Sequence, residues 1–222
     1  MQVDVYRTEE EQVAAIKKWL KENGSQYLIV IGLGMSILFG YQWWQGEQQT
    51  TGEAASGIYG EMMQAAQLVS PTEDEAGENL STARHLAKQL MDQYEGSHYA
   101  SYAGLMLAKL AVQENDLETA EQQLRWVLEQ SADKPLMLTA TMRLARVLAA
   151  KGSPEQGLTL IKAAVPAAWQ ASYDEVRGDL HLQMGKTDEA RQAYQRSVDA
   201  ATAKKDGRAN PIVQMKLDDL SV

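Results

Sequence analysis

Cysteine is missing from all 222 residues, which excludes disulfides, thiolate chemistry and cysteine-based zinc sites. Phenylalanine occurs once and proline five times, a poverty that disfavours a β-sandwich and leaves helices as the natural element. Positive charge is also short: 21 Lys and Arg face 30 Asp and Glu, so at net −9 the chain lacks the field that phosphates require, and no nucleic-acid partner is expected. His85, His98 and His181 lie far apart without a partner one helical turn away. They read as surface or cap residues, not as metal ligands. There is no Gly-x-Ser-x-Gly elbow and no phosphate-binding lysine loop. The acidic run Glu73 to Glu78 lacks alternating Asp/Asn ligands and reads as a solvated loop, and Asn79-Leu-Ser81 is a sequon of low specificity. These absences leave no enzyme and no cofactor to expect, and the class is all-α.

Charge is absent altogether from Ser25 to Gly46, 22 consecutive residues. The apolar heart, Tyr27 to Trp44, is 18 residues, or about 27 Å as a helix, close to the hydrocarbon thickness of a bilayer. Trp19 and Tyr27 on one side and Tyr41, Trp43 and Trp44 on the other sit where amphipathic rings prefer the headgroups. Lys17, Lys18 and Lys21 precede the segment, whereas the next basic residue is Arg84, after seven acidic ones. By the positive-inside rule the N-terminus is cytoplasmic and the long C-terminal part lies across the membrane, a single-pass type II arrangement. A cleaved signal peptide is the competing reading, but Tyr41-Gln-Trp-Trp44 stands where cleavage would occur, and the small cluster Ala54-Ala55-Ser56 comes about ten residues too late. A permanent signal anchor is therefore expected over 25–46. Gly32, Ser36 and Gly40 recur every fourth residue on one face of it, a small-residue surface for another membrane helix. Ahead of the anchor, Thr8-Glu-Glu-Glu11 suggests a capping box for an amphipathic helix carrying Val13, Ile16, Trp19 and Leu20. That helix should lie on the lipid surface and stop at Asn23-Gly24, making 1–24 a cytoplasmic segment.

From Glu47 onward, 17 basic and 25 acidic residues give net −8, and apolar residues recur at three- and four-residue spacing between short breakers. Asn115, Gly152 and Gly185 each lie seven residues after a small residue (Ala108, Ala145, Gly178) and five before another (Ala120, Gly157, Ala190). The small residues mark where two antiparallel helices touch, and intervals of 37 and 33 residues match the period of tetratricopeptide repeats. Tyr194 follows Ala190 by four, with Leu124 and Ile161 at the corresponding places. Repeats are expected over 101–134, 138–170 and 171–204, preceded by a degenerate hairpin (53–69 and 78–95) in which Ala83, Ala87 and Leu90 pack. A generic Ala-rich bundle is the plainer alternative. About four hairpins thus form an α-solenoid over 47–222, with a helix opening at Pro211 as its cap.

Such a stack curves, and the first helix of each hairpin lines the concave side, where extended peptide or another protein is held. Counting from the small residues puts Tyr102, Leu105, Lys109, Met142, Arg146, Glu175, Asp179 and Leu182 there. Mixed apolar and opposite-sign residues suit varied segments, and no Lys/Asn clamp for an acidic tail is evident.

The order of these features resembles the YfgM family of bacterial inner-membrane proteins. The resemblance is carried by Val13-Ala-Ala-Ile-Lys-Lys-Trp-Leu-Lys-Glu-Asn-Gly24, the glycine-bearing anchor ending in Trp43-Trp44, Arg143-Leu-Ala-Arg-Val147, Arg177-Gly-Asp179 and Met215-Lys-Leu-Asp-Asp-Leu220. It implies an ancillary subunit of the SecYEG translocon that works beside the periplasmic chaperone PpiD and passes exported client proteins to the periplasmic chaperone network. A second role it implies is restraint of a cytosolic stress-response regulator through residues 1 to 24. An envelope-assembly scaffold has the same residue signature.

Overall fold

The computed structural model describes residues 9–67, 73–203 and 207–220, with backbone alone at 9, 10, 20, 22–28, 31, 44–50 and 73–76. Thr8, most of the acidic tail before Glu11 and the Pro71 loop lie outside the described residues. Nine helices and no strand are seen among those described: α1 (Glu9–Gln67), α2 (Glu73–Gln93), α3 (His98–Gln113), α4 (Leu117–Gln130), α5 (Lys134–Ala150), α6 (Pro154–Leu160), α7 (Ala167–Gln183), α8 (Thr187–Thr202) and α9 (Pro211–Asp219). The chain divides into two compact units, Met1–Glu53 and Ala54–Val222.

In the first unit the helix does not stop at Asn23-Gly24; α1 runs through both. A single glycine inside a helix costs about 1 kcal/mol, and without proline nothing forbids the continuation. Its described apolar side chains in this unit are exposed on every side: Ile37, Leu38 and Phe39 are consecutive, and all three are more than 60% exposed. The Ser36 hydroxyl donates to the Gly32 carbonyl at 2.8 Å, so it is satisfied within its own helix. Among the described residues no helix is long and apolar enough to cross a membrane. The side chains of Tyr27, Leu28, Ile31 and Trp44, which belong to the expected span, lie outside the described ones.

In the second unit the end of α1 packs on α2 and α3 through Ala55, Met62, Ala87, Leu90 and Ala103, and Ala83 is buried as well. The degenerate first hairpin is therefore present, but Glu73 to Glu78 form the opening turns of α2 instead of a loop. Carboxylates are favoured at a helix N-terminus, where the unpaired amides carry partial positive charge.

The next three hairpins, α3–α4, α5–α6 and α7–α8, repeat one turn. Asn115, Gly152 and Gly185 have φ of 59°, 85° and 72°, the left-handed conformation that favours Gly and Asn. The residue after each donates its amide five residues back: Asp116 to Ala111 at 2.8 Å, Ser153 to Leu148 at 2.9 Å and Lys186 to His181 at 2.9 Å. Helix starts are fixed by side chains that accept otherwise unpaired amides, as Ser97 does from Ala100, Asp116 from Thr119 and Asp133 from Leu136. The hydrogen bonds from Thr119 also hold the Asp116 carboxyl below its usual range.

Ala108, Ala145, Ala120 and Ala190 are buried, and a Cβ on Gly157 or Gly178 would strike the facing helix. Leu124, Ile161 and Tyr194 occupy equivalent, fully buried places. The second hairpin departs from the pattern because α6 has only seven residues. Arg177 from α7 takes over at its end, donating to the carbonyls of Ile161 (2.7 Å) and Ala163 (3.2 Å). Finally, α9 lays Val213 and Leu217 on Ala190 and Tyr194, the capping role expected of it.

Candidate partner-binding groove

The first helices of the last three hairpins, α3, α5 and α7, are neighbours, so positions one residue after each small contact form a row: Lys109, Arg146 and Asp179. Tyr102, Lys109, Arg146 and Leu182 are exposed, and Met142 is half-buried against the core. Leu105 is not available to a partner: it is 6% exposed and packs with Leu144 and Val147, as its place one turn before the Ala108 contact requires.

Glu175 and Asp179 are half-buried and already engaged. The Glu175 carboxylate lies 3.7 Å from both Arg146 and Lys216, while Asp179 accepts from Lys216 at 2.6 Å and from the Tyr194 hydroxyl at 2.8 Å. Lys216 belongs to α9, so the capping helix closes the acidic end of the row. Burial, with the neighbouring Asp179 carboxylate, pushes the Tyr194 phenol well above its usual range and keeps it a donor.

The other end is open. Between α3, α4 and α5 lies a cavity of about 420 Å³ with Ala108, Val112, Leu117, Leu124 and Val147 among its walls. Lys109, Arg143 and Arg146 stand around it. Burial, and secondarily the nearby Arg146, lower the Arg143 pKa, and its guanidinium also donates to the Leu105 carbonyl at 3.4 Å. Next to this cavity's helix, Tyr59 of α1 lies against Tyr99 and Tyr102, ring centres 5.5 and 5.6 Å apart, and burial raises the Tyr59 pKa.

Arg143 and Val112 are absent from the row counted on the sequence, although Arg143 sits one turn before Arg146 and could have been found by i, i+3 spacing. The histidines fall as surface residues only in part. His85 is exposed and His98 lies 3.5 Å from Asp133, but His181 is half-buried with Nδ1 unpartnered and its pKa lowered by burial. No cluster of three metal-ligating side chains occurs among the described residues.

Residues 17–222 match the family model described as a tetratricopeptide repeat-like domain. The chain belongs to that family. The match thus takes in nearly the whole length, and similarity to named relatives is equally extensive. An ancillary SecYEG translocon subunit of Escherichia coli K12 is 26% identical over 220 residues, 99% of this chain and all of that one. Proteins of the same description from Aggregatibacter actinomycetemcomitans (27%) and Neisseria gonorrhoeae (25%) align over 212 residues, 96% of this chain and 97% of each relative. The resemblance read from the amino-acid order is borne out by these relatives.

Proposed function

We propose that this tetratricopeptide repeat-like chain is an ancillary subunit of the SecYEG translocon, anchored in the bacterial inner membrane by Tyr27 to Trp44 with its N-terminus cytoplasmic. The observation that carries the reading is end-to-end similarity to ancillary translocon subunits. Exposure supports it independently: a helix apolar all round, as α1 is at Ile37 to Phe39, requires either a protein core or lipid around it. In this reading Gly32, Ser36 and Gly40 face another membrane helix; a Cβ on either glycine would meet nothing among the described residues, which suits close approach.

The repeat unit then works in the periplasm as a binding adaptor with no catalytic step, holding exported client proteins or a segment of the chaperone PpiD. Tethering beside the channel raises the local concentration of partners to about millimolar, so weak groove contacts suffice.

Purification of the tagged full-length protein from its native membranes in mild detergent, beside a version with a replaced anchor, tests the proposal. Channel subunits and a periplasmic chaperone should accompany the natural chain and be lost with the anchor. Recovery of a cytosolic regulator alone would move the function to residues 1 to 24, and cell-wall machinery alone would favour an assembly scaffold.

A further inference from the structure

The cavity between α3, α4 and α5 combines two properties. Its walls are apolar, and Val112 at its side is 46% exposed, so hydrocarbon surface faces water where a solenoid of this size has a buried core to offer. At about 420 Å³ it falls in the range of pockets that enclose a ligand group. The second property is charge. In a chain of net −9, three cations converge on this one opening.

Nearby carboxylates do not neutralise them. Glu114 is paired with Arg84, while Glu118 and Glu121 are paired with Lys151 at 2.5 and 2.6 Å. Among the described residues Arg146 has only the 3.7 Å approach of Glu175, which it shares with Lys216. Lys109 and Arg143 have no carboxylate within ion-pair distance among the described residues. Arg143 and Arg146, one helical turn apart, repel each other, and an added carboxylate would relieve that repulsion.

We propose that this cavity takes a large apolar side chain of a partner polypeptide and that Lys109, Arg143 and Arg146 bind an acidic residue next to it in that segment. The ligand class is an acidic, apolar peptide segment. This deepens the adaptor reading and rests on it only in treating the concave side as the partner-facing one. Apolar burial supplies affinity, whereas the cations set which segments are accepted, since a basic neighbour would meet three like charges. The closed end of the row contributes no such site, because Lys216 occupies Glu175 and Asp179.

The test is fluorescence anisotropy with the full-length protein in detergent micelles and a labelled peptide of about ten residues carrying a central Leu flanked by Glu. Counterparts carry Gln for Glu, Lys for Glu, or Ala for Leu. The acidic Leu peptide should bind saturably and lose at least about tenfold in affinity with each replacement, with Lys worst. Raising the salt should weaken it. On the protein, Lys109→Gln and Arg143→Gln should each weaken binding severalfold, and Ala150→Trp, at an exposed position on the cavity wall, should block it. Circular dichroism of each variant shows whether the helices are retained, and Lys109, being exposed, tests the charge without touching the core.

Equal binding of the Gln peptide, or binding unaffected by both Arg143→Gln and Ala150→Trp, overturns the proposal. So does saturable uptake of oleate with no peptide binding, which would make the cavity a lipid site. Parallel recovery of channel subunits separates the two readings. Peptide binding without channel subunits keeps this site and removes the adaptor role; channel subunits without peptide binding do the reverse.

Discussion

Gly178 has no side chain, and the Tyr194 ring fills the space one would take. An added Cβ would lie 2.4 Å from that ring, which is wholly buried and tied through its hydroxyl to Asp179. Gly178→Ala therefore sets a gain in helix propensity of about 1 kcal/mol against overpacking of about 1–3 kcal/mol. Because the ring is held at both face and tip, overpacking wins, and urea unfolding should show a net loss of about 1 kcal/mol. Adding Tyr194→Leu, the residue type that the first aligned repeat carries at Leu124, should recover part of it; a stabilised Gly178→Ala protein would show that the ring yields. Three residues on, His181 gives the site a pH dependence. Burial lowers its folded pKa, so as pH falls through about 6.5 the unfolded chain binds the proton first and stability drops. The thermal midpoint should fall more between about pH 7.5 and 5.5 in the natural chain than in His181→Gln. Equal falls would assign the pH dependence elsewhere.

The short α6 depends on a residue outside itself. The Arg177 guanidinium closes its carbonyl end and also donates at 2.9 Å to Asp174, whose side chain is 1% exposed. Breaking a buried ion pair costs about 3–5 kcal/mol; Gln170 and Arg196 stay near Asp174, so Arg177→Met should lie near 3 kcal/mol in urea unfolding. Arg177→Lys should rescue little, since one ammonium cannot replace a planar fork that reaches three acceptors. An unchanged midpoint in Arg177→Met would mean that the short α6 is stable by itself. The same helix marks the limit of what the amino-acid order reveals. Asn115, Gly152 and Gly185 were legible because a left-handed turn admits few residue types, and Ala108, Ala145 and Gly178 because close helix contact demands small ones. The early end of α6 was not, since its acceptors are met by a side chain 14 to 16 residues away. Asn23-Gly24 misled in the opposite sense: stop signals of that kind are weak when no proline enforces them, and α1 continues. The row of Lys109, Arg146 and Asp179 could be counted from the turns, but the cavity beside it needs walls from three helices, and Leu105 turns into the core instead of the concave side.

A stack of hairpins has no closed core, so its last apolar face must be covered by something that is not another repeat. Here α9 covers it: Val213 and Leu217 are buried on Ala190 and Tyr194, Arg191 donates to the Leu220 carbonyl, and Lys216 bridges to α7 through Asp179. Burying two such side chains is worth about 3–6 kcal/mol as an upper estimate, comparable with the whole stability of an ordinary domain, about 5–15 kcal/mol. Ending the chain at Ala209 should therefore loosen the last hairpin. Because each repeat touches only its neighbours, the loss should stay local: hydrogen exchange should accelerate in α7 and α8, less in α5, and little in α3 and α4. The cavity ringed by Lys109, Arg143 and Arg146 would survive, while Glu175 and Asp179 would lose Lys216 and turn the far end of the row acidic. Exchange accelerated equally in every helix would instead show that the repeats unfold as one unit, and that α9 holds the entire solenoid, the cavity included, in its folded form.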